Sequence, residues 1–293
     1  MRWEPEVSRG AWIVPRLDRA WGTMHVVVPR GFEAYARVFH PIGVQRPVGL
    51  TWDDVRAGGW PDSWERRSTT WAAAAADAGL TWHPLFQWER VRDTDPDRGS
   101  WNGVPVSQGW RVDSPEQGRL EPELLASITA VLARHTATPD SGCAAVWEGW
   151  GGLFGRGVVR LALVDSADDE RGRVVSTTPP AVLGSEVEDG PRLSLPMREH
   201  VLFDAGVAEF ADASWPTRAP WIAEPELRGE SPSLIWPDDL AWVLVSEIDF
   251  DSTVVGGTAA CIADLLAVPG IEAAEIPEGA DLSIVGDRVN PRS

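Results

Sequence analysis

The chain of 293 residues contains no lysine: all 26 of its basic residues are arginine. This excludes chemistry that needs a lysine amine, from Schiff-base formation to the phosphate-binding lysine of a P-loop or a kinase. Cysteine is almost as scarce. Cys143 and Cys261 lie far apart and outside any C-x-x-C spacing, so neither a disulfide framework nor a thiolate zinc site is indicated. Two reduced thiols in a cytoplasmic protein are the expectation. No apolar run reaches membrane-spanning length, and the residues after Met1 have no signal-like apolar core, which also fits a cytoplasmic chain.

Acid and tryptophan are abundant. The net charge is −18, and it is unevenly spread. Residues 201–293 hold seventeen acids and four arginines, a net −13, against −5 for residues 1–200. Such a surface repels nucleic acid and anionic membrane, so neither is expected as a partner, and it suits a basic protein or a cation. The seventeen tryptophans stand against a single tyrosine. Most should be buried, because indole removes a large apolar area from water and needs only one hydrogen-bond acceptor. A minority, with arginine, would suit a surface for a sugar, a base or a proline-rich peptide.

Along the chain, the pattern predicts a hairpin of Met24–Val28 and Tyr35–His40, carrying His25 and His40, with Pro29-Arg30-Gly31 between them. A short helix over Thr51–Ala57 should be capped by Thr51 and stopped by Gly58-Gly59, and a second should run from about Ser68 to Ala78. Leu85–Val91 reads as extended. Asp93-x-Asp95-x-Asp97 lacks the glycine and glutamate of a calcium loop, since Arg98 and Val104 occupy those places. Leu120–His135 reads as a helix with Leu124, Leu125, Ile128, Val131 and Leu132 on one face. Strands follow at Cys143–Trp150, Val158–Val164, Leu193–Leu195 and His200–Phe203, and Gly149–Gly157 is a turn. Strands in neighbouring runs rather than strict β-α alternation predict an α+β fold with a mainly antiparallel sheet, either one unit over 1–293 or two packed lobes, 1–112 and 119–293.

The densest chemistry lies in Trp236–Gly270. Val243, Val245, Glu247, Asp249 and Asp251 alternate with Trp242, Leu244, Ser246, Ile248 and Phe250, which predicts a strand over Trp242–Phe250 ending in an acidic face. Ser252-Thr253 and Gly256-Gly257 should break it. Cys261, Ile262, Leu265 and Leu266 then take helical spacing up to Pro269-Gly270. Asp249-Phe250-Asp251-Ser252-Thr253-Val254 resembles the D-x-D-x-T-[LV] motif of the haloacid dehalogenase-type phosphatases. The resemblance implies Asp249 as nucleophile, Asp251 as general acid/base, and Glu247, Asp249 and Asp251 around a Mg²⁺ ion. Only 42 residues follow Asp251, where that superfamily places most of a parallel sheet.

The phrases YARVFHP (35–41), HPLFQW (83–88), WEGWG (147–151) and SPSLIWPDDLAWVLVSEIDFDSTVVGG (231–257) resemble an uncharacterised family of high-GC Gram-positive bacteria. That likeness implies a recurrent fold and carries no activity or catalytic residue. The expectation is therefore a non-enzymatic, cytoplasmic binding or regulatory protein, as a toxin-neutralising protein would be, without a cofactor and with an acidic C-terminal surface for a basic partner. Two alternatives stand beside it: a Mg²⁺-dependent phosphohydrolase using Asp249 and Asp251, and a small-ligand binder using Trp and Arg side chains.

Overall fold

A computed structural model describes residues 1–20, 22–95, 103–150, 152–155, 160–166, 169–177, 181–196, 198–223 and 230–290. The fold is α+β with antiparallel sheets, as the distribution of strands predicts. The chain divides into two compact units, each made of two segments: Met1–Pro15 with Glu121–Leu240, and Arg16–Leu120 with Ala241–Ser293. The expected lobes 1–112 and 119–293 would each have used one continuous segment.

In the first unit the strand Arg198–Asp204 lies between Gly142–Trp147 on one side and Arg2–Trp3 and Leu193–Leu195 on the other, and Leu234–Pro237 pairs with the far side of Gly142–Trp147. Arg9 fastens this sheet. Its guanidinium reaches Glu4, Asp204 and Asp238 at 2.7–2.9 Å and donates to the Gly142 carbonyl at 3.0 Å. The helix Pro122–Leu132 begins at its proline, whose missing N–H falls where a helix has no partner for one. Residues 133–135 continue it as a 3-10 turn. Leu125, Ile128, Val131 and Leu132 are buried, while Leu124 is only half-buried, so the inward face is turned slightly from the expected stripe. Trimming Ile128 to Val removes one methylene from a fully buried site, and the expected loss is about 1 kcal/mol in chemical denaturation. No measurable loss would mean that Ile128 does not pack as described.

The second unit holds two sheets. In one, Ala34–Phe39 lies between Ser252–Gly257 and Ala273–Ile276, and Val243–Val245 flanks Ser252–Gly257. The helix Ala259–Leu266, capped by the Thr258 hydroxyl, buries Cys261, Ile262 and Leu265. The other sheet runs in the order Trp64–Thr69, Ile42–Pro47, Arg111–Val112, Val104–Pro105. Ile42, Val44, Val104, Trp110 and Val112 on its inner side pack with Phe39, Trp71, Phe86, Trp88 and Val91. Trp71 sits at the centre, with ring centroids 4.9 Å from Phe39 and 5.2 Å from Trp88, and its indole N–H donates to the His40 carbonyl at 2.8 Å.

Several expectations need correction. Met24–Val26 is a 3-10 turn capped by Thr23, not a strand, and Ala34–Phe39 pairs elsewhere. The segment 64–69 is a strand, so the alanine-rich helix begins at Trp71, capped by Thr70. Leu85–Val91 is a turn leading into the short helix Glu89–Arg92. Trp242–Phe250 is not one strand: pairing stops at Val245, and Ser252–Gly257 is the returning strand of a hairpin. Gly256 belongs inside that strand because a Cβ there would lie 2.8 Å from the rings of Phe32 and Tyr35. Of the turn 149–157, residues 151, 156 and 157 lie outside the described residues, as does Asp97 of the acidic loop.

Candidate functional site

The hairpin that carries the phosphatase-like motif has a tight acidic turn. The Glu247 carboxylate accepts the Asp249 N–H at 2.6 Å, and the Phe250 N–H donates to the Glu247 carbonyl at 3.0 Å. From the segment before residue 120, Gln117 and the Gly118 N–H donate to the carbonyls of Asp249 and Phe250. Glu247 is buried, Asp249 is exposed, and Asp251 turns towards Arg37. The three carboxylates therefore have three different surroundings. Among the described residues, no group of three or more His, Cys, Asp or Glu side chains is placed to hold a metal ion.

Arg37 organises the polar interior of this unit. It is 1 % exposed, yet each arm of its guanidinium has a partner. Nε donates to Ser252 Oγ at 2.8 Å, Nη1 to the Phe86 carbonyl at 2.6 Å, and Nη2 to Asp251 at 3.1 Å. The plane lies over Phe39, 4.5 Å from its centroid. Burial pulls the Arg37 pKa down, and the charge and hydrogen bond of Asp251 oppose it. Asp251 is thus the counter-ion of a buried cation.

The histidines are similarly committed. Burial holds His40 below its ordinary pKa, so it is neutral at pH 7. The Glu116 carbonyl, 2.6 Å from Nδ1, can only accept, so the ring proton is on Nδ1 and Nε2 accepts from Thr253 at 2.9 Å. Thr253 Oγ1 also lies 3.1 Å from Ser246 Oγ. The chain Ser246–Thr253–His40 has the order of a proton relay, but Ser246 is fully buried and meets no substrate. His83 accepts the Leu85 N–H on Nδ1 and donates from Nε2 to Asp287 at 2.9 Å. Burial raises the Asp287 carboxyl, but hydrogen bonds from the Asn290 backbone and side chain, His83 and the Val289 N–H outweigh it and hold the group below the carboxylate range. His25 sits between the Val28 carbonyl and the Gly279 N–H. None of these three imidazoles has a nitrogen left for general base catalysis.

A different arrangement lies open to solvent, on the outer side of the four-stranded sheet. Residues opposite one another across antiparallel strands share a face. The register therefore places Trp64 beside Pro47, Arg66 beside Gln45 with Arg111 on the far side of Gln45, and Ser68 beside Gly43. Thr51 caps the helix Trp52–Arg56 in a reciprocal box with Asp54, and Gly58, at φ +96°, reverses the chain after it. Trp52 and Trp60 are thereby brought to Trp64, with centroids 5.4 and 6.4 Å from it. The Trp52 indole donates to the Gly109 carbonyl at 2.9 Å, and the Arg111 guanidinium stacks 5.0 Å from its ring. Gln45 donates to Asp113 at 2.7 Å, and burial raises the Asp113 pKa against that bond and the nearby charge of Arg66.

Trp60 is 75 % exposed, and Arg66, also exposed, makes no side-chain hydrogen bond or ion pair among the described residues. Among the described residues seven tryptophans are buried: Trp71, Trp88, Trp110, Trp215, Trp221, Trp236 and Trp242. Trp52, Trp60 and Trp64 are gathered beside the exposed guanidinium of Arg66. The alternation Trp64-x-Arg66-x-Ser68, beginning three residues after Trp60-Pro61, is the sequence signal that marks this face. The chain matches no protein-family model, no curated protein and no solved structure, so its site rests on its own residues.

Proposed function

We propose that this is a non-catalytic binding protein that holds a polypeptide partner on the Trp52–Trp60–Trp64–Arg66 face of the four-stranded sheet. The observation that carries the reading is the pairing of an exposed indole, Trp60, with an exposed guanidinium, Arg66, that among the described residues makes no hydrogen bond or ion pair and feels only the nearby charge of Asp113. Exposed tryptophan and arginine contribute most to protein recognition, because each removes a large surface from water while keeping a directional polar group. A basic partner for the acidic C-terminal third has less support. Those acids are shared between the two units, and many accept bonds within the fold: Asp204 and Asp238 from Arg9, Asp251 from Arg37, Glu272 from the Trp71 N–H and Asp287 from His83. The phosphohydrolase reading also has less support, because Asp251 is ion-paired to the buried Arg37 at 3.1 Å.

Among the described residues no helix is long and apolar enough to cross a membrane. A cytoplasmic setting suits Cys143 and Cys261, two buried free thiols whose pKa values burial pushes up to about 12 and about 11. The test is affinity selection from a random peptide display, run in parallel on wild type and on a Trp60→Ala/Arg66→Glu variant. Wild type should enrich peptide families that the variant does not retain. Enriched peptides that bind both proteins alike would overturn the reading.

A further inference from the structure

We infer that the partner is taken up as an added β-strand: an extended peptide pairs antiparallel along Trp64–Thr69, setting an acidic side chain against Arg66 and an apolar or prolyl side chain, two residues away, against Trp64 and Trp60. This rests on the reading of the Trp–Arg face given above. Trp64–Thr69 is a terminal strand of its sheet, bonded on one side to Ile42–Pro47. At the opposite end of the sheet, Val104–Pro105 is two residues long and includes a proline, a poor template for pairing.

The direction of the free backbone groups follows from one bond. The Val48 N–H donates to the Ser63 carbonyl at 3.1 Å, so the bonded pairs in this register are 63 with 48, 65 with 46, 67 with 44 and 69 with 42. Trp64, Arg66 and Ser68 therefore turn their N–H and C=O groups outward, and among the described residues nothing accepts or fills them. These are also the residues whose side chains lie on the open face. A strand bonded to this edge would thus place alternate side chains beside Trp64, Arg66 and Ser68, at about 6–7 Å spacing. Main-chain bonds give such an addition its affinity and the alternate side chains its selectivity.

Charge selects the occupant. A second copy pairing antiparallel about a two-fold axis in this phase would, in the registers centred on residues 65, 66 and 67, oppose Glu65 to Glu65, Arg66 to Arg66 or Arg67 to Arg67. Like charges directly opposite are destabilising. Glu65 already pairs with Arg46, and Arg67 stacks 4.1 Å from Trp110, so both are engaged on the inner side. Arg66, with only the through-space charge of Asp113 beside it among the described residues, is the exposed cation on the outer side, and its complement is a carboxylate.

The test uses a blocked, fluorescent peptide of threonine and serine with Phe and Glu two residues apart, titrated against the full chain by anisotropy. Comparators carry Lys for Glu, N-methyl groups on the Phe and Glu amides, or N-methyl groups on the amides between them. The Glu peptide should bind about tenfold or more tightly than the Lys peptide, and Arg66→Glu should reverse that order. Methylation of the Phe and Glu amides should abolish binding, and methylation in the other phase should spare it. Equal binding of both methylated forms and the parent, still weakened by Trp60→Ala, would overturn strand addition while leaving the face as a binding surface. A Glu peptide bound no better than the Lys peptide would overturn the inference. Indistinguishable behaviour of wild type and the Trp60→Ala/Arg66→Glu variant on every peptide would overturn the underlying reading as well. Both substituted side chains are exposed, and an unchanged melting transition confirms the fold of each variant.

Discussion

Replacing Asp251 by Ala is expected to destabilise the protein by about 3–5 kcal/mol, the range for removing one partner of a buried ion pair. The reason is Arg37. Its remaining partners, Ser252 and the carbonyls of Phe86 and Pro84, are neutral, and Asp287 acts on it only through space. Without Asp251 the fold must keep an uncompensated cation at 1 % exposure or open to hydrate it. Asp251→Asn keeps an acceptor in place and should cost less. Asp249→Asn, at an exposed turn position, should change stability by no more than about 0.5 kcal/mol. The two aspartates of one D-x-D thus differ widely in their expected effect, whereas the phosphatase likeness gives both a catalytic role. Urea denaturation of the three variants measures the order. An Asp251→Ala protein within about 1 kcal/mol of wild type would show that Arg37 is satisfied without it.

Elements whose causes are local were legible in the sequence. Thr51 and Asp54 specify the cap of Trp52–Arg56, Pro122 specifies where its helix starts, and the spacing of Cys261, Ile262 and Leu265 specifies the helix after Thr258. Elements fixed by distant residues were not. No glycine, proline or asparagine marks the turn at Ile248-Asp249. It is held by the Glu247 side chain and by Gln117 and Gly118 from far along the chain, so period-two alternation runs through it unbroken. Gly256 reads as a breaker but is the residue that leaves room for Phe32 and Tyr35. His83 and Asp287 are some two hundred residues apart, and their pairing has no local trace. The Trp–Arg face lies between these cases. Its parts are close in sequence from Trp52 to Ser68, but only the register that sets Arg66 against Gln45, and Gln45 against Arg111, shows that they share one open side. The acidity of residues 201–293 was visible at once, but a charge count does not show which acids are already neutralised within each unit.

Acidification should weaken the fold before its carboxylates are protonated. His200 lies buried in Arg198–Asp204, its Nδ1 has no hydrogen-bond partner, and burial lowers its pKa to about 4. An unfolded histidine takes up its proton near the ordinary value of about 6.5. Between these two values the unfolded chain binds more protons than the folded one, so stability rises with pH. The contribution of His200 is complete above about pH 6.5 and is lost as the pH falls to about 4, and the shift corresponds to something on the order of 3 kcal/mol. His40 acts in the same direction, since burial also lowers its pKa, with the Glu116 carbonyl opposing. The paired carboxylates come later: Asp204, held down chiefly by Arg9, and Asp287, held down by Asn290 and His83 against burial, lose their contributions as the pH falls below the ordinary carboxylate range. Urea midpoints measured at steps from about pH 7.5 to about pH 4.5 should therefore fall for wild type across the histidine range. The fall should be shallower for His200→Gln, which has no proton to take up at that position. A wild-type profile flat from about pH 7 to about pH 5 would mean that neither His200 nor His40 is excluded from protonation by the fold.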